Sequence, residues 1–234
     1  MVLCDRPSAF NGRVLVAEEE GGIRTLFFNS VLGDRQAVYD TNEPTRLHLP
    51  YVKVMAEVLS ALAPRRRVLM IGLGAGTIPT RVAREWAGTA EVEVVEVDSV
   101  VEEVARTHLG LPHLPNLRVT VAEGRASVAA RATASVDLFV LDAYGPGGQP
   151  HGLATLEFCR EVRRVVEPRQ GLALANVFGS ESNARYPSML ATWEHVFGRV
   201  DVVGVPGSSN RILVMGGGAP ERATSSLAVP LLRD

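Results

Sequence analysis

RVLMIGLGAGT, residues 67–77, decides the fold. Val68 to Ile71 form an unbroken apolar run, as expected of a strand buried on both faces of a parallel sheet. Gly72, Gly74 and Gly76 follow at alternate positions. TIPTRVAREWAG (77–88) then has helical spacing, with Thr77 as the capping residue, Pro79 in the first turn and Gly88 beyond the end. Glycines between a buried strand and a helix permit a tight turn and close approach of a ligand to the backbone. The helix start adds free N–H groups.

Working outward, strands and helices alternate. EVEVVEVD (91–98) is a strand and SVVEEVARTHLG a helix capped by Ser99. LRVTVAEG (117–124) is a strand followed by a short helix, ASVAARA. VDLFVLDAYG (136–145) is a strand that enters a Gly- and Pro-rich loop. LATLEFCREVRRVV is a helix, GLALANVFG a strand, and a helix covers about 185–197. RVDVVGVP and RILVMGG form a closing antiparallel pair. The alternation predicts an α/β fold, a mostly parallel sheet with helices on both faces. Toward the N-terminus, RVLVA and IRTLFFN flank EEEGG as a hairpin, QAVYD adds a strand, and YVKVMAEVLSAL is a helix that stops before Pro64. The expected division is a small β-region over 1–49 and a Rossmann-like domain over 50–234.

Composition removes several classes. A 46% hydrophobic content and a net charge of −2 argue against disorder and give no sign of a nucleic-acid-binding face. Two cysteines, Cys4 and Cys159, cannot build a disulfide framework or a four-ligand zinc site, and the five histidines show no paired metal spacing; they read as surface or loop residues, and no metal is expected. No window approaches the roughly 20 apolar residues of a membrane span. The N-terminal ten residues lack a secretory pattern, so a cytoplasmic protein is expected. The basic residues are 23 Arg and one Lys, Lys53, which leaves one candidate for lysine covalent chemistry.

Acidic residues stand at successive strand ends, where ligands of open parallel sheets bind. Glu96 and Asp98 close the second strand about 20 residues past the glycine loop, the place of a ribose-binding carboxylate. Glu123, before Gly124, is placed for an adenine edge, with capping of the next helix as the competing role. Asp142 is placed for the reacting centre. A dinucleotide loop wants Gly or Ala at position 77, where Thr77 stands. The G-x-G-x-G spacing instead looks like the adenosylmethionine-binding loop of class I methyltransferases.

These residues together resemble the spermidine/spermine synthase family, over roughly residues 14 to 216. VLMIGLGAG stands where that family has V-L-x-I-G-G-G-D-G, VVEVD at its V-E-I-D, VAEG at its G-D-G, and LDAYGP at its D-S-S-D-P loop. The resemblance implies a Rossmann-like class I methyltransferase fold with a C-terminal antiparallel hairpin and an N-terminal β-region. It makes Gly72, Gly74, Ala75, Gly76, Glu96, Asp98, Glu123 and Gly124 the donor-binding residues. It makes Asp142 the acid that orients or deprotonates an attacking amine, and TRLHLPYVKVM keeps the family's tyrosine as Tyr51. Tyr51 and Tyr144 are candidates to line the acceptor pocket, with a core role on an apolar helix face as the competing reading for Tyr51. A homodimer and a small-molecule amine acceptor are implied, with neither nucleic acid nor membrane as partner.

Departures from the pattern bear on the donor. Ala75 replaces the loop Asp that holds the amino group of decarboxylated adenosylmethionine, and Gly145 replaces the second Asp of the catalytic loop. A dicationic polyamine needs a carboxylate at each end; Asp34, Asp40 or Glu43 could supply one. The expected function is therefore alkyl transfer from an S-adenosyl sulfonium donor. Methyl transfer from adenosylmethionine stands ahead on residues, and aminopropyl transfer from the decarboxylated donor on family likeness. A non-catalytic nucleoside-binding protein is the alternative of another class, and a nicotinamide-dependent oxidoreductase stands third.

Overall fold

The computed structural model describes residues 1–179, 183–216 and 231–234. Among these, two sheets form. The first is antiparallel, in the order β1 (Val2–Ser8), β2 (Gly12–Glu19), β3 (Ile23–Phe28), β4 (Arg35–Asp40). The second contains β5 (Arg67–Ile71), β6 (Glu91–Glu96), β7 (Leu117–Val121), β8 (Leu138–Leu141), β9 (Leu172–Phe178), β10 (Val200–Gly204) and β11 (Asn210–Gly216). Its order is β10-β11-β9-β8-β5-β6-β7. Neighbours from β9 to β7 pair in parallel, and β11 runs antiparallel to both β9 and β10. The expected α/β class, parallel sheet and closing hairpin are all present.

The helices are α1 (Pro50–Ser60), α2 (Thr77–Glu85), α3 (Ser99–His108), α4 (Gly124–Ala129), α5 (Leu156–Val165) and α6 (Tyr186–Phe197). Side chains alternate along β5, so one strand feeds two cores. Leu69 and Ile71 join Phe158, Val162, Trp193 and Phe197 under α5 and α6. Val68 and Met70 join Met55, Leu59, Val82 and Trp86 under α1 and α2. A third cluster ties the first sheet to α3 through Val14, Val16, Leu26, Val101 and Val104. Among the described residues, no helix is long and apolar enough to cross a membrane.

Strand order reverses between β5 and β8, because the chain leaves β5 toward β7 and then returns to the other side. That reversal is where ligands of such sheets bind. Gly72, at the end of β5, has φ +98°, and a Cβ there would lie 2.2 Å from the Asp142 carbonyl oxygen. Only glycine lets the ends of β5 and β8 come this close.

Several local expectations are corrected. β1 is an additional strand: its exposed, Pro-containing sequence lacks a buried alternation, and it forms by pairing along β2. Thr77 is the first residue of α2, and Gly76, in the left-handed conformation, caps it. Ser99 likewise lies inside α3, and Asp98 is its cap, accepting from the Val100 amide at 2.9 Å. His195 is buried on α6.

Candidate functional site

A cavity of about 900 Å³ opens at the carboxyl ends of the central strands. Its wall includes Gly72, Gly74 and Ala75 of the loop after β5, Glu96 of β6, and Glu123 and Gly124 after β7. Asp142 and Tyr144 after β8 and Tyr51 of α1 complete the expected set. Gly76 and Asp98 do not reach this wall. Gly76 packs against Leu111, where a Cβ would sit 2.5 Å from its methyl carbon. Asp98, besides capping α3, accepts from the Ser8 hydroxyl and, at 2.7 Å, from the Asn11 side-chain amide. Its carboxylate thus fastens the tip of the β1–β2 hairpin to the large sheet, a corrected role for a residue expected at the donor.

Glu96 is 8% exposed. One oxygen accepts the Leu73 amide at 2.9 Å, and the other accepts the Asp98 amide at 3.0 Å. Burial pushes its carboxyl above the ordinary range, against the lowering by the Asp98 and Leu73 N–H groups. The two backbone bonds fix the carboxylate plane between the glycine loop and the start of α3. Each oxygen keeps lone-pair capacity toward the cavity. Glu123 caps α4 through the Arg125 amide at 2.9 Å and the Ala126 amide at 2.6 Å, so the capping role weighed for it is realised at the cavity wall. Ala75 lines the cavity and also belongs to the apolar cluster with Val14, Leu26, Ala37 and Val101.

Asp142 is half-buried at the other end. Its carboxylate accepts the Asn176 side-chain amide at 2.9 Å and interacts with the Tyr51 hydroxyl. Burial raises its carboxyl above the usual range, while Asn176 and Tyr51 pull it down. Burial first, and then the negative Asp142, keep the Tyr51 phenol protonated well above its ordinary range. The same two causes act on Tyr144, whose hydroxyl donates to the Asn176 carbonyl at 3.1 Å. The Tyr51 phenol therefore stands beside the carboxylate as a donor, whereas the Tyr144 proton is given to the Asn176 backbone. The arrangement is a carboxylate able to accept a proton, set across a cavity from a second one able to accept hydroxyls.

Of the three acids weighed for the acceptor, Asp34 lines the cavity. Asp40 is buried and holds the turn amides of Asn42 and Glu43, with His48 at 3.3 Å. Glu43 is exposed and faces Arg46 at 3.6 Å. Wall residues beyond the expected set include Asn11, Gln149, Asn176, Arg185 and Asn210. The signal for Asn176 was its place as the one polar residue in LALANVF. Asn11 and Gln149 sit in turns whose direction only the fold reveals.

No family model matches the chain. It is 28% identical over 205 residues to a polyamine aminopropyltransferase of Vibrio vulnificus (strain CMCP6), covering 86% of this chain and 67% of that protein. It is 31% identical over 156 residues to an eEF1A lysine and N-terminal methyltransferase of Danio rerio, covering 63% of this chain and 22% of that protein. A probable spermidine synthase structure from Corynebacterium glutamicum ATCC 13032 superposes with a TM-score of 0.76 at 21% identity, over 96% of this chain and 83% of the other. The chain is spermidine synthase-like. It has the class I adenosylmethionine-dependent transferase fold and is, with its relatives, a transferase of the S-adenosyl-donor class.

Proposed function

We propose that this spermidine synthase-like chain moves a methyl group from S-adenosylmethionine to a small-molecule amine. The observation that carries the reading is the convergence on one cavity of Glu96, the loop after β5, and Asp142. Glu96 would hold the ribose hydroxyls, and the loop backbone would lie against the rest of the donor. The fit rests on a buried carboxylate with spare acceptor capacity and on a cavity large enough for a nucleoside with an acceptor beside it. The donor supplies an electrophilic carbon on a sulfonium, and the chain supplies alignment and a base. Asp142 would take the proton that the amine must lose before its lone pair attacks, with Tyr51 and Tyr144 orienting that carboxylate and the nucleophile.

Ala75 supports adenosylmethionine over its decarboxylated form. A carboxylate at 75 would repel the donor's own carboxylate, and none is there. Aminopropyl transfer, the activity named for the Vibrio relative, draws support from Asp34, a wall carboxylate that could meet a second ammonium. The proposal includes a homodimer acting in the cytoplasm, as the family resemblance implies. The deciding experiment is calorimetric titration with adenosylmethionine, methylthioadenosine and NAD. Tight binding of the first two, with adenosylhomocysteine released when primary amines are added, supports the reading. Binding of NAD alone refutes it.

A further inference from the structure

A chain of side-chain hydrogen bonds runs through three residues to the catalytic carboxylate. The Ser208 hydroxyl donates to the side-chain oxygen of Asn210 at 2.7 Å and accepts the Asn210 backbone amide at 3.2 Å. The Asn210 side-chain amide donates to the side-chain oxygen of Asn176 at 2.9 Å. The Asn176 amide nitrogen in turn donates to Asp142 at 2.9 Å. Every side-chain donor points the same way, toward Asp142. A carboxamide has an oxygen on one arm and a nitrogen on the other. Because Asn210 donates to the oxygen arm of Asn176, the nitrogen arm must face Asp142. Asn176 is 1% exposed on β9, so water has little access to relax that orientation. Its backbone carbonyl also receives the Tyr144 hydroxyl, so one residue anchors two groups of the cavity wall.

We infer that Asn176, oriented by Asn210 and Ser208, is a positioning residue that holds Asp142 ionised and turns its remaining acceptor capacity toward the acceptor amine. A fixed N–H on one oxygen favours the charged carboxylate and leaves the rest of that group free to take a proton. The titratable groups facing Asp142 are Tyr51 from α1, which donates to it, and Tyr144 from its own loop, whose proton goes to the Asn176 carbonyl; burial keeps both phenols protonated, so neither is a competing base. The amides also differ from carboxylates in carrying no charge, so they orient Asp142 without adding a second negative group that would itself bind a proton. What Asp142 then does rests on the transferase reading, whereas the relay itself does not.

Carbon-13 titration of the aspartate carboxyls tests it on the intact chain, with Asp142→Asn assigning the signal. The measurement uses neither donor nor acceptor, so a failed transferase assay and a failed relay are separate results. Asn176→Leu keeps the approximate shape and removes the donor, and should raise the Asp142 midpoint by about one to two pH units. Asn210→Ala leaves the Asn176 amide free to turn and should raise the midpoint by roughly half a unit. The Tyr144 bond to the Asn176 backbone is untouched in both. An unmoved midpoint in Asn176→Leu overturns the inference, and an unmoved one in Asn210→Ala removes Asn210 and Ser208 from it. If Asn176→Leu does not fold, Asn176→Ala takes its place, with the same rise expected and an unmoved midpoint overturning the inference.

Discussion

Replacing Glu96 with Gln separates what this residue does for the donor from what it does for the fold. Glu96 accepts Leu73 N–H on one oxygen and Asp98 N–H on the other. Glutamine has a single acceptor oxygen, so one of those amides would face an NH2 group. A buried N–H left without an acceptor costs about 1–3 kcal/mol. An opposing effect comes from charge. The Glu96 carboxyl lies above its ordinary range in the fold because it is buried. For an acid raised in this way, the stabilising contribution is present at low pH and lost as pH rises through the folded value. At neutral pH the ionised group therefore costs stability, and Gln removes that cost. The orphaned N–H should outweigh it, since the same backbone bonds already offset part of the burial. The variant should lose about 1–2 kcal/mol net, or roughly 2–8 °C in Tm, and the deficit should grow as pH falls, because protonation of Glu96 relieves the wild type of its buried charge while the Gln variant has nothing to titrate there. Ribose hydroxyls bonded to an amide instead of a carboxylate should weaken binding by about 1–3 kcal/mol, roughly 5- to 150-fold in Kd. Calorimetric titration with adenosylhomocysteine, below the variant's Tm, reads the second effect, and scanning calorimetry across pH reads the first. An unchanged Kd would refute the assignment of Glu96 to the ribose.

Asp142→Asn should leave adenosylhomocysteine affinity within about threefold and lower turnover by roughly 10²–10⁴, the range for loss of a general base. Loss of donor binding together with turnover would place Asp142 in the donor site instead. In the wild type, kcat/KM should fall as pH drops through the Asp142 carboxyl, at a pH above the ordinary aspartate range because burial raises it; a limb at the ordinary value would contradict the assignment. Gly72→Ala forces a Cβ to 2.2 Å from a backbone oxygen at φ +98°, and should cost about 2–5 kcal/mol in chemical denaturation. The unmodified chain should bind adenosylmethionine at least as tightly as its decarboxylated form in competitive titration. Strong preference for the latter would defeat the methyl-transfer reading.

The end of the cavity formed by the glycine loop and Glu96 was legible because it is encoded locally. The run from Val68 to Gly76 specifies a buried strand, a glycine turn and a helix within ten residues, and the second strand's end follows at a set distance. What misled there was also local. Asp98 and Glu96 share the end of one strand, and side chains two apart point to the same face. Yet only Glu96 reaches the cavity, because the chain bends into α3 between them and turns Asp98 into the helix cap. The edge strand β1 and the hairpin tip it forms with β2 escaped notice for a different reason. Their order comes from Ser8 and Asn11 reaching Asp98 about 90 positions away, a partnership with no period to read.

The other end, around Asp142, was less legible because it is assembled from far apart in the chain. Tyr51 comes from α1, Asp142 from the end of β8, Asn176 from β9 and Asn210 from β11; Asp142 shows at its own strand end, but the bonds that join it to Tyr51, Asn176 and Asn210 are set only by the fold. Their chemistry nevertheless bears on the choice of acceptor. A closed site for a dication must neutralise two ammonium groups, because an unpaired buried charge costs far more than a hydrogen bond returns. Around Asp142 the polar groups are phenols and carboxamides, which orient a nucleophile without neutralising it. Asp34 is exposed on its loop, where water screens its charge. On the proposed reading, the one carboxylate at this position, Asp142, would match one ammonium to be deprotonated. An acceptor with a single amine at this position satisfies that balance, whereas a diamine would have to carry its second charge out to Asp34.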